Sequence, residues 1–317
     1  MTEVLRDDID FAAYMRESEP KRKVRPAKAW IAELMDNLGK KNSEVKIVLP
    51  WQKAHELVAF RPGEVTLWAG VNGHGKSLVT GQAILSLITQ NQRVCLCSFE
   101  MKPLKSLERM ARQFSAQSPN GAWLNDPEVL ATYREVYEQF GIFTENKLWL
   151  YDQQGSVGRE TIMGVIRYCA NELRINHVVI DCLMKCIKGS DDYNAQKDFV
   201  DELCAYARDF NIHIHLVHHI RKLSSESQLP DKTDVRGAGE ITDQVDNVLL
   251  FWRNKEREAD IAAGRLNDKT DAVLICAKQR NGEWEGKLGL YYEPQSQQFV
   301  ASLGASALDF ASFPHHG

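Results

Sequence analysis

The sequence predicts an α/β protein with a twisted, mostly parallel β-sheet flanked by helices. Three observations lead there. Short apolar runs alternate with helix-length amphipathic stretches from Glu64 onward. Such alternation implies crossover units, which lay helices over both faces of a parallel sheet. The apolar run VTLWA leads straight into GVNGHGKS, Gly70 to Ser77, and a helical stretch opens immediately behind it. Finally, the run HVVID closes on a carboxylate, Asp181, the edge position at which open parallel sheets bind ligands.

The chain has 317 residues, enough for one large core with extensions. Hydrophobic residues make 44% and charged residues 26%, a globular composition. The net charge of −4 argues against a basic coat, yet local loops can still carry phosphate contacts. No apolar run approaches the ~18–20 residues of a membrane span. The start, MTEVLRDDIDF, has no apolar signal core. The expectation is therefore a cytoplasmic protein with no membrane partner. Several of the seven cysteines sit in apolar runs and read as reduced, buried thiols. Cys182 and Cys186 form a C-x-x-x-C, but no second pair follows at zinc spacing, so no metal is expected from that pair.

Residues 1–45 form a separate segment, with helix-favouring stretches around the basic PKRKVRPAK. Trp30, Ile31, Leu34 and Leu38 recur at helical intervals. A short amphipathic helix on a basic linker either packs on its own domain or docks on a neighbouring subunit. The main domain is expected over 46–302. VTLWAG is its first strand and SLVTGQAILSLITQ a helix. RVCLCSFE is a strand, followed by a helical stretch from SLERMARQF through DPEVLATYREVYEQF. LWLYD, HVVID and IHIHLVHH are strands, separated by the helices RETIMGVIRYCANEL and NAQKDFVDELCAYARDF. DNVLLFW, DAVLICAK, KLGLYYE and QQFVAS complete the strands. Residues 303–317 carry little apolar surface and read as a mobile tail.

The spacing G-x-x-x-x-G-K-[ST] explains the chemistry of Gly70–Ser77. A loop of this kind turns successive backbone N–H groups around a phosphate, and the next helix aims its positive end at the same anion. Gly70, Asn72, Gly73, His74, Gly75, Lys76 and Ser77 are thus candidate nucleotide contacts, with Lys76 on the outer phosphates. Ser77 and Asp181 are candidate Mg²⁺ ligands. ATP or another NTP is the expected cofactor. Glu100, ending RVCLCSFE, is placed to orient or deprotonate an attacking water; a glutamate there also serves as a helix N-cap or stands in solvent.

His219 ends a strand, where it can sense a terminal phosphate or serve a structural role. Behind it runs a long polar segment with Arg221, Lys222, Lys232, Arg236 and Gly237. Such loops are functional or disordered. Its cations suit backbone phosphates without sequence readout, or else a solvated surface. Lys278 and Arg280, two apart beyond a strand, face one way and can reach one anion, in their own subunit or in a neighbour's site.

Together these residues resemble the RecA-type ATPase domain of DnaB-family replicative helicases, which include phage primase-helicases and the mitochondrial helicase Twinkle. The likeness spans roughly residues 50–300. GVNGHGKS corresponds to the Walker A element and HVVID to the Walker B strand. SFEMKPLKSLERM is similar to the family's S-x-E-M…L-x-R-M segment, which implies that Glu100 is the catalytic carboxylate. HHIRK and DVRGAG resemble the phosphate-sensing residue and the central DNA-binding loop, and favour His219 over His218. AKQRNG matches the K-x-R pair, which implies that Lys278 and Arg280 act in trans. The implied assembly is a homo-oligomeric ring, a hexamer, on single-stranded DNA at a replication fork, moving five-prime to three-prime. Two departures stand out. Asp243, with Gln244 next to it, occupies the offset of a family glutamine, and CLM follows Asp181 in place of an aromatic or polar residue and L-Q. No primase domain is expected before residue 45, so primase, loader or polymerase would be other proteins. A filament-forming recombinase and a partner-regulated ATPase of the same fold are the alternatives.

Overall fold

The computed structural model describes residues 46–117, 126–187, 192–225, 227–237 and 239–311, with residues 27, 28, 31 and 35 ahead of them. The chain divides into two units, Met1–Val45 and Lys46–Gly317. In the first, residues 27, 28, 31 and 35 are helical, with Ile31 and Met35 exposed. Trp30, Leu34 and Leu38, the rest of the expected apolar stripe, lie outside the described residues.

The second unit opens with a two-stranded sheet, β1 (Ile47–Val48) with β2 (Ala59–Phe60), too short to show a period-2 signal in the sequence. A nine-stranded sheet follows. Its strands are β3 (Val65–Gly70), β4 (Val94–Ser98), β5 (Leu148–Leu150), β6 (His177–Asp181), β7 (His213–His219), β8 (Asn247–Arg253), β9 (Ala272–Gln279), β10 (Gly286–Glu293) and β11 (Gln298–Val300). Across the sheet they run β5-β4-β6-β7-β3-β8-β9-β10-β11. The six from β5 to β8 pair in parallel, and β9, β10 and β11 add on antiparallel. This is the expected α/β, RecA-like architecture. The strand that leads to Glu100, β4, is not beside β3: β7 and β6 stand between them.

The parallel strands are buried on both faces because alternate residues feed two different cores. Trp68, Leu96, Val179, Val217 and Leu249 join one apolar cluster with helices α1 (Lys76–Thr89), α2 (Pro103–Ser115) and α3 (Pro127–Thr144). Leu67, Cys95, Val178, Ile180, Leu216 and Leu250 join the other, with α4 (Arg159–Asn171) and α5 (Tyr193–Phe210). Two short helices, α6 (Gly239–Gln244) and α7 (Lys255–Ala262), flank β8. Among the described residues no helix is long and apolar enough to cross a membrane.

Several buried polar groups are paired through side chains where the backbone ladder ends. Gln82 of α1 both accepts from and donates to the backbone of Phe299, at 2.9 Å each, and so completes the outer edge of β11. Three fully buried histidines form a chain on β6 and β7. His213 Nδ1 donates to the Arg61 carbonyl at 2.7 Å, which leaves Nε2 to accept from Thr66 at 2.8 Å. Trp68 donates to His215 Nδ1 at 3.2 Å, so His215 Nε2 carries its proton toward His177 Nδ1 at 3.0 Å. Burial holds all three pKa values below the ordinary value, with His213 at about 4. The end of the chain differs from the sequence reading. Leu308 exchanges two hydrogen bonds with the Gln298 side chain, and Phe310 is buried in the first cluster. These contacts fix the segment through Phe310; residues 312–317 lie outside the described residues.

Candidate functional site

β3 delivers the glycine loop to the carboxyl edge of the sheet. Gly70 pairs with Phe251 of β8 so closely that a Cβ there would stand 2.3 Å from the Phe251 carbonyl oxygen. Gly73 and Gly75 take φ of +77° and +91°, left-handed conformations open to glycine at little cost. Gly75 is the N-cap of α1, so the first N–H groups of that helix point into the loop. Asn72 and Gly73 are exposed at the tip. His74 is turned the other way: its ring is buried, and Nδ1 accepts from the Arg253 N–H at 3.1 Å. Its side chain thus ties the loop to the end of β8, and only its backbone faces the loop.

Lys76 is buried, with its ammonium held by the carbonyls of Gly70 at 2.9 Å and Val71 at 3.1 Å. Burial lowers its pKa, against the opposing pull of Asp181, Cys182 and Glu100. The Ser77 hydroxyl donates to Asp181 Oδ2 at 3.0 Å, across from β6. Asp181 is itself buried, which raises its carboxyl pKa, while the Ser77 hydrogen bond holds the rise back. A hydroxyl and a carboxylate in contact form a hard oxygen donor pair, which suits Mg²⁺. Both line a cleft of about 330 Å³, counting its open mouth, between α1 and α2. Arg109 of α2 lines it too, and its charge lowers the Asp181 pKa. The sequence reading assigns Arg109 no role, although it belongs to the quoted SFEM segment.

Glu100 lies just past β4 and is exposed. Its Oε1 accepts from the Cys182 thiol at 3.5 Å. His219, at the end of β7, completes the group: one donor atom each from Glu100, Cys182 and His219 lie within 4.8 Å of one another. The two histidines divide their work. His218 is fully buried, with Nε2 donating to the Arg236 carbonyl at 2.6 Å, while half-buried His219 reaches the site. Burial brings the pKa of each down to about 4.

The polar segment is stitched at its base to this same strand end. Ile220 bridges Val235, Arg221 N–H donates to Asp234 O at 2.7 Å, and Arg236 N–H donates to His219 O at 3.0 Å. Arg221, Lys222 and Lys232 are exposed and Arg236 is half-buried. Gly237 is not at the surface. It has φ of +96°, and a Cβ would stand 2.1 Å from Gln196 Oε1 of α5. Its contribution is to let the segment pass close over that helix.

Lys278 and Arg280 do converge on one negative end, the carbonyl terminus of α6. Lys278 Nζ donates to Thr242 O, Asp243 O and Val245 O at 2.8 Å. Arg280 donates to Asp243 O at 3.0 Å and Gln244 O at 3.1 Å, and pairs with Asp246 at 3.1 Å. The cations thereby complement the helix dipole and satisfy its last carbonyls. Asp243 and Gln244 take part here through their backbone.

Comparison with known proteins agrees with this geometry. Residues 55–301 match the family model of the DnaB-like helicase C-terminal domain. Among solved structures, the chain is similar in fold to a DnaB-like replicative helicase studied with its primase interactions, at TM-score 0.70 and 15% identity, covering 87% of this chain and 67% of that one. It is also similar to a second solved structure, an ATPase domain, at TM-score 0.67 and 16% identity, covering 86% of this chain and 99% of that one. With the family model spanning most of its length, and the glycine loop, Ser77–Asp181 pair and Glu100 at one sheet edge, the chain belongs to the DnaB-like helicase C-terminal-domain family.

Proposed function

We propose that this chain is the motor of a ring-forming DNA helicase that moves on single-stranded DNA by hydrolysing ATP, or another NTP, between adjacent subunits. The observation that carries the reading is the attachment of the cationic segment to the strand that ends at the hydrolytic group. The base of residues 220–236 is hydrogen-bonded to His218 and His219, and His219 stands beside Glu100. A displacement of the segment therefore reaches the strand end through hydrogen bonds, and His219 there lies within 4.8 Å of Glu100.

In this reading Lys76 leaves its loop carbonyls for the outer phosphates, and the N–H groups of Gly73, Gly75 and the first turn of α1 cradle them. Ser77 and Asp181 would hold Mg²⁺, and the ion would supply charge neutralisation for the phosphate oxygens. Glu100 orients the attacking water and takes its proton. His219 senses the terminal phosphate and passes its state to Arg221, Lys222, Lys232 and Arg236, which hold the DNA backbone. Lys278 and Arg280 serve the neighbour's nucleotide, and their attachment to α6 links that role to the segment just before it. The motor occupies residues 46–302, and residues 1–45 dock on a neighbouring subunit in a hexamer. The chain works in the cytoplasm at a replication fork with a separate primase, a class of partner that the similar DnaB-like helicase also engages.

The test is strand displacement from a forked duplex with ATP and Mg²⁺. The wild-type chain is expected to release the strand and Lys76→Ala is not. ATP turnover without displacement, with or without a loader, would favour the partner-regulated ATPase.

A further inference from the structure

Glu100, Cys182 and His219 offer three chemically different donors: a carboxylate, a thiol and an imidazole. They come from β4, β6 and β7, which are consecutive in the sheet, so their carboxyl ends bring the three side by side. The Cys182 Sγ to Glu100 Oε1 distance is 3.5 Å, and the whole set lies within 4.8 Å. Tetrahedral zinc, with bonds of about 2.0 Å to N or O and about 2.3 Å to S, needs donor separations of roughly 3.3–3.8 Å. One edge already has that length. The other two edges are at most 4.8 Å: a shift of about 1 Å by exposed Glu100 closes its edge to His219, and the Cys182–His219 edge closes by a side-chain rotation of similar size. A second observation is independent of the distances. His219 Nδ1 is buried and has no hydrogen-bond partner in the described structure, although buried polar atoms are normally paired.

We infer that Glu100, Cys182 and His219 form a binding site for a zinc-class transition metal, whose occupation removes Glu100 from water activation and arrests turnover. The inference rests in part on the proposed role of Glu100. The donor set sorts metals by softness: thiolate and imidazole favour zinc-class ions, whereas the adjacent Ser77–Asp181 pair offers only oxygens and favours Mg²⁺. Binding replaces the Cys182 S–H bond by a sulfur–metal bond and releases the proton to solvent, with no change of oxidation state. Cys186 takes no part; its thiol turns to the Cys182 carbonyl at 3.8 Å inside the second apolar cluster. The site therefore differs from the zinc pair that the C-x-x-x-C spacing would suggest. It also gives a role to Cys182, one of this chain's departures from the family pattern.

The experiment uses Co²⁺ as a spectroscopic stand-in, added to the full chain without nucleotide or DNA. The expected result is a thiolate-to-cobalt charge-transfer band that saturates at one ion per chain and is displaced by Zn²⁺. Cys182→Ser should abolish the band, Cys186→Ser should keep it, and His219→Gln should weaken binding about tenfold or more. Circular dichroism confirms that each variant is folded. No band in the wild-type chain, or a band that survives Cys182→Ser, overturns the site. In a second arm, Zn²⁺ is titrated into ATP hydrolysis at fixed excess Mg²⁺, each protein scaled to its own zinc-free rate. Inhibition of the wild-type chain, relieved about tenfold in Cys182→Ser, supports the arrest. A cobalt band with an undiminished rate overturns the arrest. A chain that never hydrolyses ATP counts against the proposed function instead, and leaves the cobalt result readable.

Discussion

Two glycines of one loop should respond differently to the same substitution. In Gly70→Ala the new Cβ would stand 2.3 Å from the Phe251 carbonyl oxygen. Ordinary carbon–oxygen contacts are about 3.3 Å or longer, so β3 and β8 must part by about 1 Å at their hydrogen-bonded pair. Overpacking of this kind costs about 1–3 kcal/mol, less the ~0.4–1 kcal/mol that alanine returns by restricting the unfolded chain. At the upper end of that range, a net loss of about 2 kcal/mol lowers Tm by roughly 3–4 °C in a unit of this size, because the unfolding entropy is about 2.1 cal/mol/K per residue. Gly73→Ala meets no atom within 4 Å, but its φ of +77° is left-handed. The backbone penalty is about 1–2 kcal/mol, partly offset by the same entropy term, for a shift of about 2 °C. Gly73→Asn should fall closer to wild type, because asparagine visits that region more readily. Scanning calorimetry without nucleotide measures all three. A Gly70→Ala protein that melts with wild type, or a Gly73→Ala protein that loses as much as Gly70→Ala, would refute the reasoning.

The buried histidines predict acid sensitivity. His213 and His218 have pKa values near 4 against an ordinary 6.5, so between those values the unfolded chain binds protons that the folded chain refuses. Their stabilisation is fully present above pH 6.5 and is lost as pH falls toward 4, with about 2 kcal/mol apiece gone at pH 5. His177 and His215 act in the same direction. Denaturant midpoints should thus drop steadily from about pH 7 to about pH 5, and a flat profile would contradict the neutral chain of rings. Arg280→Ala and Glu100→Ala should each abolish hydrolysis alone. Mixing them should restore a fraction of the sites if Arg280 serves the neighbour, whereas no recovery at any ratio counts against action in trans.

The local parts of the site are legible because each is a short run with fixed spacing. GVNGHGKS folds into a strand end, a turn with two left-handed glycines and a helix, since those steps depend on neighbours in sequence. HVVID reads as a buried strand with a carboxylate at its end for the same reason. What sequence does not supply is lateral order. Cys182 meets Glu100 only because β6 lies beside β4, a contact between residues 82 apart. Lys278 and Arg280 share a partner, but it is the carbonyl end of α6 and not the anion their spacing suggests, and the six residues of α6 are too short to register as a helical period. His74 fits the glycine-loop pattern, yet its ring is used by β8. The tail looks too polar to be fixed, and the Gln298 side chain that holds Leu308 is not visible as an apolar signal.

The most direct test of the central claim is the rate of ATP hydrolysis with and without single-stranded DNA, with Lys76→Ala as the blank. Coupling through His219 predicts strong stimulation by DNA, and loss of that stimulation when Arg221, Lys222 and Lys232 are neutralised together. A rate that DNA leaves unchanged would contradict the link between the cationic segment and the hydrolytic group.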